Sequence, residues 1–247
     1  MPKLNPATLG EWVTVYPQTA RLLDELQIDY CCGGADTLAQ ACEERGLDLD
    51  AVVGRLANAI VDQKADSYLN YDAMSPSELC DQIEQSHHAF LRRELPRLTE
   101  LIDRVLTAHG ERHPELRELQ AVFRELRAEL EPHMLKEEQI LFPAIRQLTQ
   151  RRAQPQFPFG TVANPIRVME HEHENAGAGL KKIRALTSDF HAPQDACNTW
   201  HVLLDGLRQL ESDMHQHVHK ENNILFPKAQ QLEVSVSSNS VATPRKT

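Results

Sequence analysis

The feature that most constrains this chain is a motif written twice. His133-Met134-Leu135-Lys136-Glu137-Glu138-Gln139-Ile140-Leu141-Phe142-Pro143 matches His217-Val218-His219-Lys220-Glu221-Asn222-Asn223-Ile224-Leu225-Phe226-Pro227, an offset of 84 residues. Another histidine precedes each copy by about 45 residues, His88 in the first case and His173 in the second. A whole helical hairpin is therefore duplicated, which a merely solvated face would not require. Residues four apart on a helix are rotated by about 40° and separated by one turn, so His133 with Glu137, and His217 with Glu221, each aim two donors at one point.

The punctuation of the chain predicts an all-α fold. Ser75-Pro76-Ser77-Glu78 is a capping box with proline at the first helical position, and it opens a helix expected to reach about residue 108. A turn near Gly110 and Pro114 leads to a second helix ending near Gln150. A Pro- and Phe-rich crossover, Arg151 to Thr161, follows. Asn164-Pro165 starts a third helix, expected to run to about Phe190, and Ala192-Pro193-Gln194-Asp195 starts a fourth, expected to end near Leu232. These four form an up-down four-helix bundle at residues 75–232, with a polar, Ser-rich tail at 233–247 expected to be disordered.

Residues 1–65 read as a small helical N-terminal domain. Thr8 and Glu11 form a capping box, Pro17 breaks the first helix, and Thr19 to Ile28 forms the second. Gly33-Gly34 is expected to end it with a left-handed turn, Gly46 to stop a third helix, and Asp50 to Gln63 to form a fourth.

In an antiparallel hairpin turning near residue 111, His88 lies as far before the turn as His133 lies after it, so both imidazoles share one level. The hairpin turning near residue 193 does the same for His173 and His217. Four imidazoles and two carboxylates then meet in one layer of a core where an unpaired charge is costly, and metal is the natural compensation. Six mixed N and O donors exceed one tetrahedral zinc and suit iron or manganese. Two histidines per metal with both glutamates bridging leave positions open for an oxo group, water or a diatomic ligand. His87, His171, His215 and His219 are rotated about 100° or 200° from these ligands and are read as surface residues, as is Glu138. Pro143 and Pro227 fall inside helical patterns just past the site and are expected to bend the ligand helices.

A net charge of −10 argues against nonspecific nucleic-acid binding, and no apolar run is long enough to span a membrane. The N-terminus lacks a secretory signal, and five cysteines, adjacent only at Cys31 and Cys32, form no disulfide framework. The expected location is the cytoplasm, with reduced thiols.

The two HxxxExxxLFP segments, Val168-Met169-Glu170-His171-Glu172-His173-Glu174 and Asp29-Tyr30-Cys31-Cys32-Gly33-Gly34 resemble the iron-sulfur cluster repair di-iron proteins, a hemerythrin-like group, over roughly residues 8 to 232. The resemblance implies two non-haem iron ions, oxo- and carboxylate-bridged, on His88, His133, Glu137, His173, His217 and Glu221. The choice of His88 over His87 rests on the match of Leu95-Pro96 to that family's pattern. The resemblance further implies a protein of nitrosative or oxidative stress that binds nitric oxide or oxygen, acts on damaged iron-sulfur proteins, and passes iron to them. It places further carboxylates at Glu129 and Glu172, which with Cys31 and Cys32 are the candidates for any catalytic role. Gly177 stands four after His173, where oxygen-carrying hemerythrins have a further histidine.

Cys31 and Cys32 read either as small packing residues or as thiols that are redox-active, receive iron or engage a damaged cluster. Three functions stay open: a repair protein, a scavenger or sensor that binds nitric oxide or oxygen reversibly, and a nitric oxide reductase. A homodimer is compatible with all three.

Overall fold

The computed structural model describes residues 7–62, 71–150 and 155–241. Gln63, the start of the crossover and the last residues of the tail lie outside them. The elements in order are α1 (Leu9–Val15), a 3-10 turn (Pro17–Thr19), α2 (Ala20–Glu25), α3 (Leu38–Arg45), α4 (Leu49–Asp62), a 3-10 turn (Tyr71–Ala73) and α5 (Pro76–Ile83). Then come α6 (Ala89–His109), α7 (Glu115–Lys136), α8 (Phe142–Thr149), α9 (Ala163–Leu186), α10 (Asn198–Lys220) and α11 (Phe226–Val241). π turns at Glu84–His88, Glu137–Leu141 and Glu221–Leu225 join α5 to α6, α7 to α8 and α10 to α11. Among the described residues there is no strand, only an isolated bridge between Phe157 and Gly160.

Chain contacts divide the protein into two compact units, one of Met1–Cys80, Arg146–Pro155 and His215–Thr247, the other of Asp81–Ile145 and Gln156–Met214. The last helix thus groups with the N-terminal helices, a grouping that punctuation at residues 65–75 does not express.

The second unit is a helical bundle. α6 turns through Gly110 into α7, and α7 packs on both α6 and α9. Its core follows the helical period: Leu91, Leu95, Leu98 and Ile102 on α6, and Leu119, Val122, Phe123, Leu126 and Leu130 on α7. Ile166, Met169, Leu180 and Ile183 on α9 and Leu203, Leu207, Leu210 and Met214 on α10 complete it. Gly206 lets α10 approach α6, since a Cβ there would stand 2.7 Å from Leu98.

Helix α9 stops at Leu186, short of the expected Phe190, because the chain turns through three left-handed residues, Ser188, Asp189 and Phe190. Phe190 is buried with the guanidinium groups of Arg184 and Arg208 over its ring at 5.0 and 5.7 Å, and Arg184 also pairs with buried Glu211 on α10. Helix α10 starts at Asn198, later than expected, and Asp195 serves as a partner of Arg112 and His113.

In the first unit Thr8 and Glu11 close the expected capping box, and left-handed Gly46 caps α3. After α2 the left-handed residue is Gln27, however, and neither Gly33 nor Gly34 has positive φ. Those glycines answer a steric demand instead. A Cβ on Gly34 would lie 2.3 Å, and one on Gly10 2.6 Å, from Oδ1 of Asn223 in the third π turn. The tail expected to be disordered from residue 233 is helical to Val241, with the Ser235 and Ser237 hydroxyls donating back to the carbonyls of Leu232 and Glu233.

Two predictions follow from this packing. Gly34→Ala should destabilise the protein by about 1–3 kcal/mol through overpacking. The control Gly54→Ala, in a helix and with nothing within 4 Å of the added methyl, should stabilise it by about 0.5–1 kcal/mol; urea unfolding of both variants reads the difference. The second concerns His113, whose pKa is raised by its hydrogen bond to Glu115, against an opposing effect of burial, with Asp195 adding to the rise. The folded state therefore holds this proton more tightly than the unfolded chain, and the stabilisation is complete below the ordinary histidine value of about 6.5 and lost as pH rises through the raised one. The Tm of the native protein minus that of His113→Asn should shrink from about pH 6 to about pH 9; a constant difference would contradict the assignment.

Candidate metal centre

The bundle unit gathers four of the six expected ligands. His88 closes the first π turn, His133 sits in the last turn of α7, Glu137 opens the second π turn, and His173 lies in α9. All four are sealed from water. His88 Nε2 stands 3.2 Å and His133 Nε2 3.4 Å from Oε2 of Glu137, and His173 Nε2 is 3.3 Å from His133 Nε2. His133, Glu137 and His173 each offer a donor atom within 4.8 Å of the others.

The opposite ring nitrogens explain how the imidazoles are aimed. His88 Nδ1 lies 2.6 Å from Glu138, which Arg92 also grips. His133 Nδ1 lies 2.9 Å from Glu172, which Lys136 also grips. A carboxylate only accepts, so Nδ1 carries the proton and Nε2 turns its lone pair inward. Burial pushes both carboxyls up, but hydrogen bonds outweigh it and hold them below the usual carboxylate range, from His88 and Arg92 on Glu138 and from Lys136 and His133 on Glu172.

Within this unit lone pairs thus converge on one another and on a carboxylate. Neither oxygen of Glu137 accepts a hydrogen bond among the described residues. A buried anion so placed is costly unless a cation meets it, so this donor set fits a metal.

The first unit holds the other two ligands. His217 on α10 and Glu221 at the head of the third π turn are fully buried, with His217 Nε2 3.1 Å from Glu221 Oε1. The spacing of four that brings them together is the one shared by His133 and Glu137. Each glutamate precedes its proline by six residues, and the π turn fills the interval. Proline donates no amide hydrogen and crowds the carbonyl four residues back, and the wider π turn accommodates both effects.

Several neighbours differ from expectation. His87 is buried and bonds Asp213 at 2.9 Å. His219 is buried too, with Thr14 Oγ1 3.3 Å from one ring nitrogen and the Asn223 amide 3.2 Å from the other, and burial pushes its pKa down to about 4. His215 is half-buried and bonds Asp24 at 2.7 Å. A face turned about 200° from the ligands is solvent-exposed only where nothing covers it, and here α2 and the Asp29 loop belong to the same unit. His171 is exposed, as expected, and Glu129 is exposed on α7. Glu138, read as a solvated neighbour, is instead the partner of His88; the clue was Arg92, one turn after His88 and able to reach the same carboxylate. The six-residue spacing to proline was the available sign of the second and third π turns.

Comparison with known proteins points to a cation-binding domain. Residues 81–229 match the Hemerythrin HHE cation binding domain, and residues 5–60 match a Domain of Unknown function (DUF542). The Iron-sulfur cluster repair protein YtfE of Musicola paradisiaca (strain Ech703) is 36% identical over 222 residues, covering 90% of this chain and 95% of the relative. That of Edwardsiella ictaluri (strain 93-146) is 38% identical over 221 residues, with 90% and 95% covered. The Probable iron-sulfur cluster repair protein of Haemophilus influenzae is 33% identical over 220 residues, covering 89% of this chain and 95% of the relative. With a hemerythrin-type domain behind most of its length and such relatives matched almost end to end, the chain belongs to the iron-sulfur cluster repair family of hemerythrin-like proteins.

Proposed function

We propose that this protein restores iron-sulfur clusters damaged by nitric oxide or oxidants, with two non-haem irons held by His88, His133, Glu137, His173, His217 and Glu221. The observation that carries the reading is the buried, hydrogen-bond-deprived carboxylate of Glu137 facing imidazole nitrogens whose far sides are held by other carboxylates. The duplicated His-Glu frame supports extending the centre to His217 and Glu221.

Bound there, the iron pair supplies a redox-active group able to take up nitric oxide and a store of iron for a damaged cluster. The protein's own residues set the conditions. Glu138 and Glu172 hold the Nδ1 protons and raise the basicity of the facing nitrogens, while Arg92 and Lys136 keep those carboxylates ionised. The apolar core, with Phe142 stacked on His88 at 5.7 Å, excludes water from the histidine.

No described helix is long and apolar enough to cross a membrane, and no disulfide joins the described cysteines. The site of action we propose is the cytoplasm, where thiols stay reduced. Damaged iron-sulfur proteins are the partners.

The decisive experiment incubates the iron-loaded protein with an oxidatively inactivated cluster enzyme. Activity should return faster than with the same amount of unbound ferrous iron, and equal rates would overturn the repair reading. His133→Ala and Glu221→Ala should each lower iron content and Tm together, because metal binding adds to folding free energy. Glu172→Gln, which keeps an acceptor for His133 but loses the charge, should weaken iron binding by roughly 10- to 100-fold, as measured by competition with a chelator.

A further inference from the structure

The Asp29–Gly34 loop carries a second constellation that the buried centre does not use. Asp29 Oδ1 accepts the backbone N–H groups of Cys31, Cys32 and Gly33 at 3.2, 3.0 and 3.2 Å. That wrapping brings both sulfurs to the carboxylate's neighbourhood. Cys31 Sγ lies 3.2 Å from Asp29 Oδ1 and 4.0 Å from Cys32 Sγ, and the three residues each offer a donor atom within 4.8 Å of the others.

The sulfur separation discriminates between uses. Two thiolates each about 2.3 Å from a tetrahedral cation stand about 3.8 Å apart, whereas a disulfide needs about 2.05 Å. At 4.0 Å the pair has the spacing of a chelate. Cys32 is exposed and offers an entry, while Cys31 is buried beneath it.

The loop is also held in this shape. The Asn223 amide donates to the carbonyl of Cys31 at 3.0 Å, and Gly10 and Gly34 leave the space that its carboxamide occupies. A Cβ on Gly33 would meet the Asp29 carbonyl at 2.8 Å. A site built on so many fixed contacts is pre-organised.

The state of the thiol disfavours the alternative use. Its hydrogen bond to the Cys32 sulfur, then burial and Asp29, push the Cys31 pKa well above its ordinary value. A protonated thiol is a weak nucleophile, which disfavours thiol exchange. A divalent cation reverses that balance, since a coordinating thiol is deprotonated outright.

We propose that Asp29, Cys31 and Cys32 form a second, exchangeable site for a thiophilic divalent cation, separate from the buried histidine and glutamate ligands. Binding converts two thiols to thiolates and releases two protons to solvent, with no electron transferred. Three protein donors leave a fourth position for a donor from the molecule that receives the ion. That the natural cargo is iron(II) rests on the repair function proposed above; the site itself does not.

Cobalt(II) titration tests it, using the full chain with its buried centre already loaded with iron and a phosphine as reductant. A thiolate-to-cobalt charge-transfer band should grow and saturate at one equivalent. Cys31→Ser and Cys32→Ser should each abolish it, with circular dichroism confirming the fold; Cys32 is exposed, so its variant keeps the packing. Asp29→Asn retains an oxygen for the three amides and should weaken binding by roughly tenfold or more. Absence of the band, or its persistence in either serine variant, overturns the site. A cobalt band in the native protein, together with unaltered repair rates in Cys32→Ser, supports the site and removes iron delivery as its use, whereas repair failing in the native protein overturns the function and leaves the cobalt result standing.

Discussion

Glu137 is sealed from water, yet neither of its oxygens accepts a hydrogen bond among the described residues. Removing a carboxylate from water costs several kcal/mol even after relaxation, more than a single neutral hydrogen bond returns. Structural metal sites contribute on the order of 10 kcal/mol, enough to reverse that balance. The surroundings of Glu137 make sense only on those terms. Glu138 and Glu172 fix the imidazole tautomers, Arg92 and Lys136 keep those carboxylates charged, and the lone pairs of His88 and His133 are turned toward one oxygen.

The π turns belong to the same economy of position. A regular helix would carry Glu137 and Pro143 at fixed angles, and the proline would crowd the carbonyl of Gln139. Widening the turn over Glu137–Leu141 relieves the crowding and lets Glu137 and the apolar Leu141 both face inward. The second copy repeats this at Glu221–Leu225, where Ile224 and Leu225 are buried with Glu221. Proline is not the sole cause of such a turn, since the one at Glu84–His88 has Phe90 at that distance.

The sequence was informative where a local rule has one physical solution. The capping boxes at Thr8 and Ser75, the left-handed Gly46 and the four-residue His-Glu spacing are of this kind, and each stands in the structure as read. It misled where the answer depends on what covers a face. His87 and His219 look like surface residues by angle, but Asp213 meets one and Thr14 and Asn223 meet the other. Gly33 and Gly34 look like turn residues, whereas their lack of a side chain serves a close approach. Phe190 fits a helical pattern, yet two arginines on its ring hold it in a left-handed conformation that no propensity favours.

Asn223 shows why the N-terminal residues and the second ligand motif group together. It sits two residues after Glu221, and its amide reaches the carbonyls of Tyr30 and Cys31 while contacting His219. The first copy of the motif has Gln139 at the equivalent position. The carboxamide thus lies between the loop that carries the two thiols and the turn that carries Glu221. The two glycines that clear space for Asn223 keep that connection short.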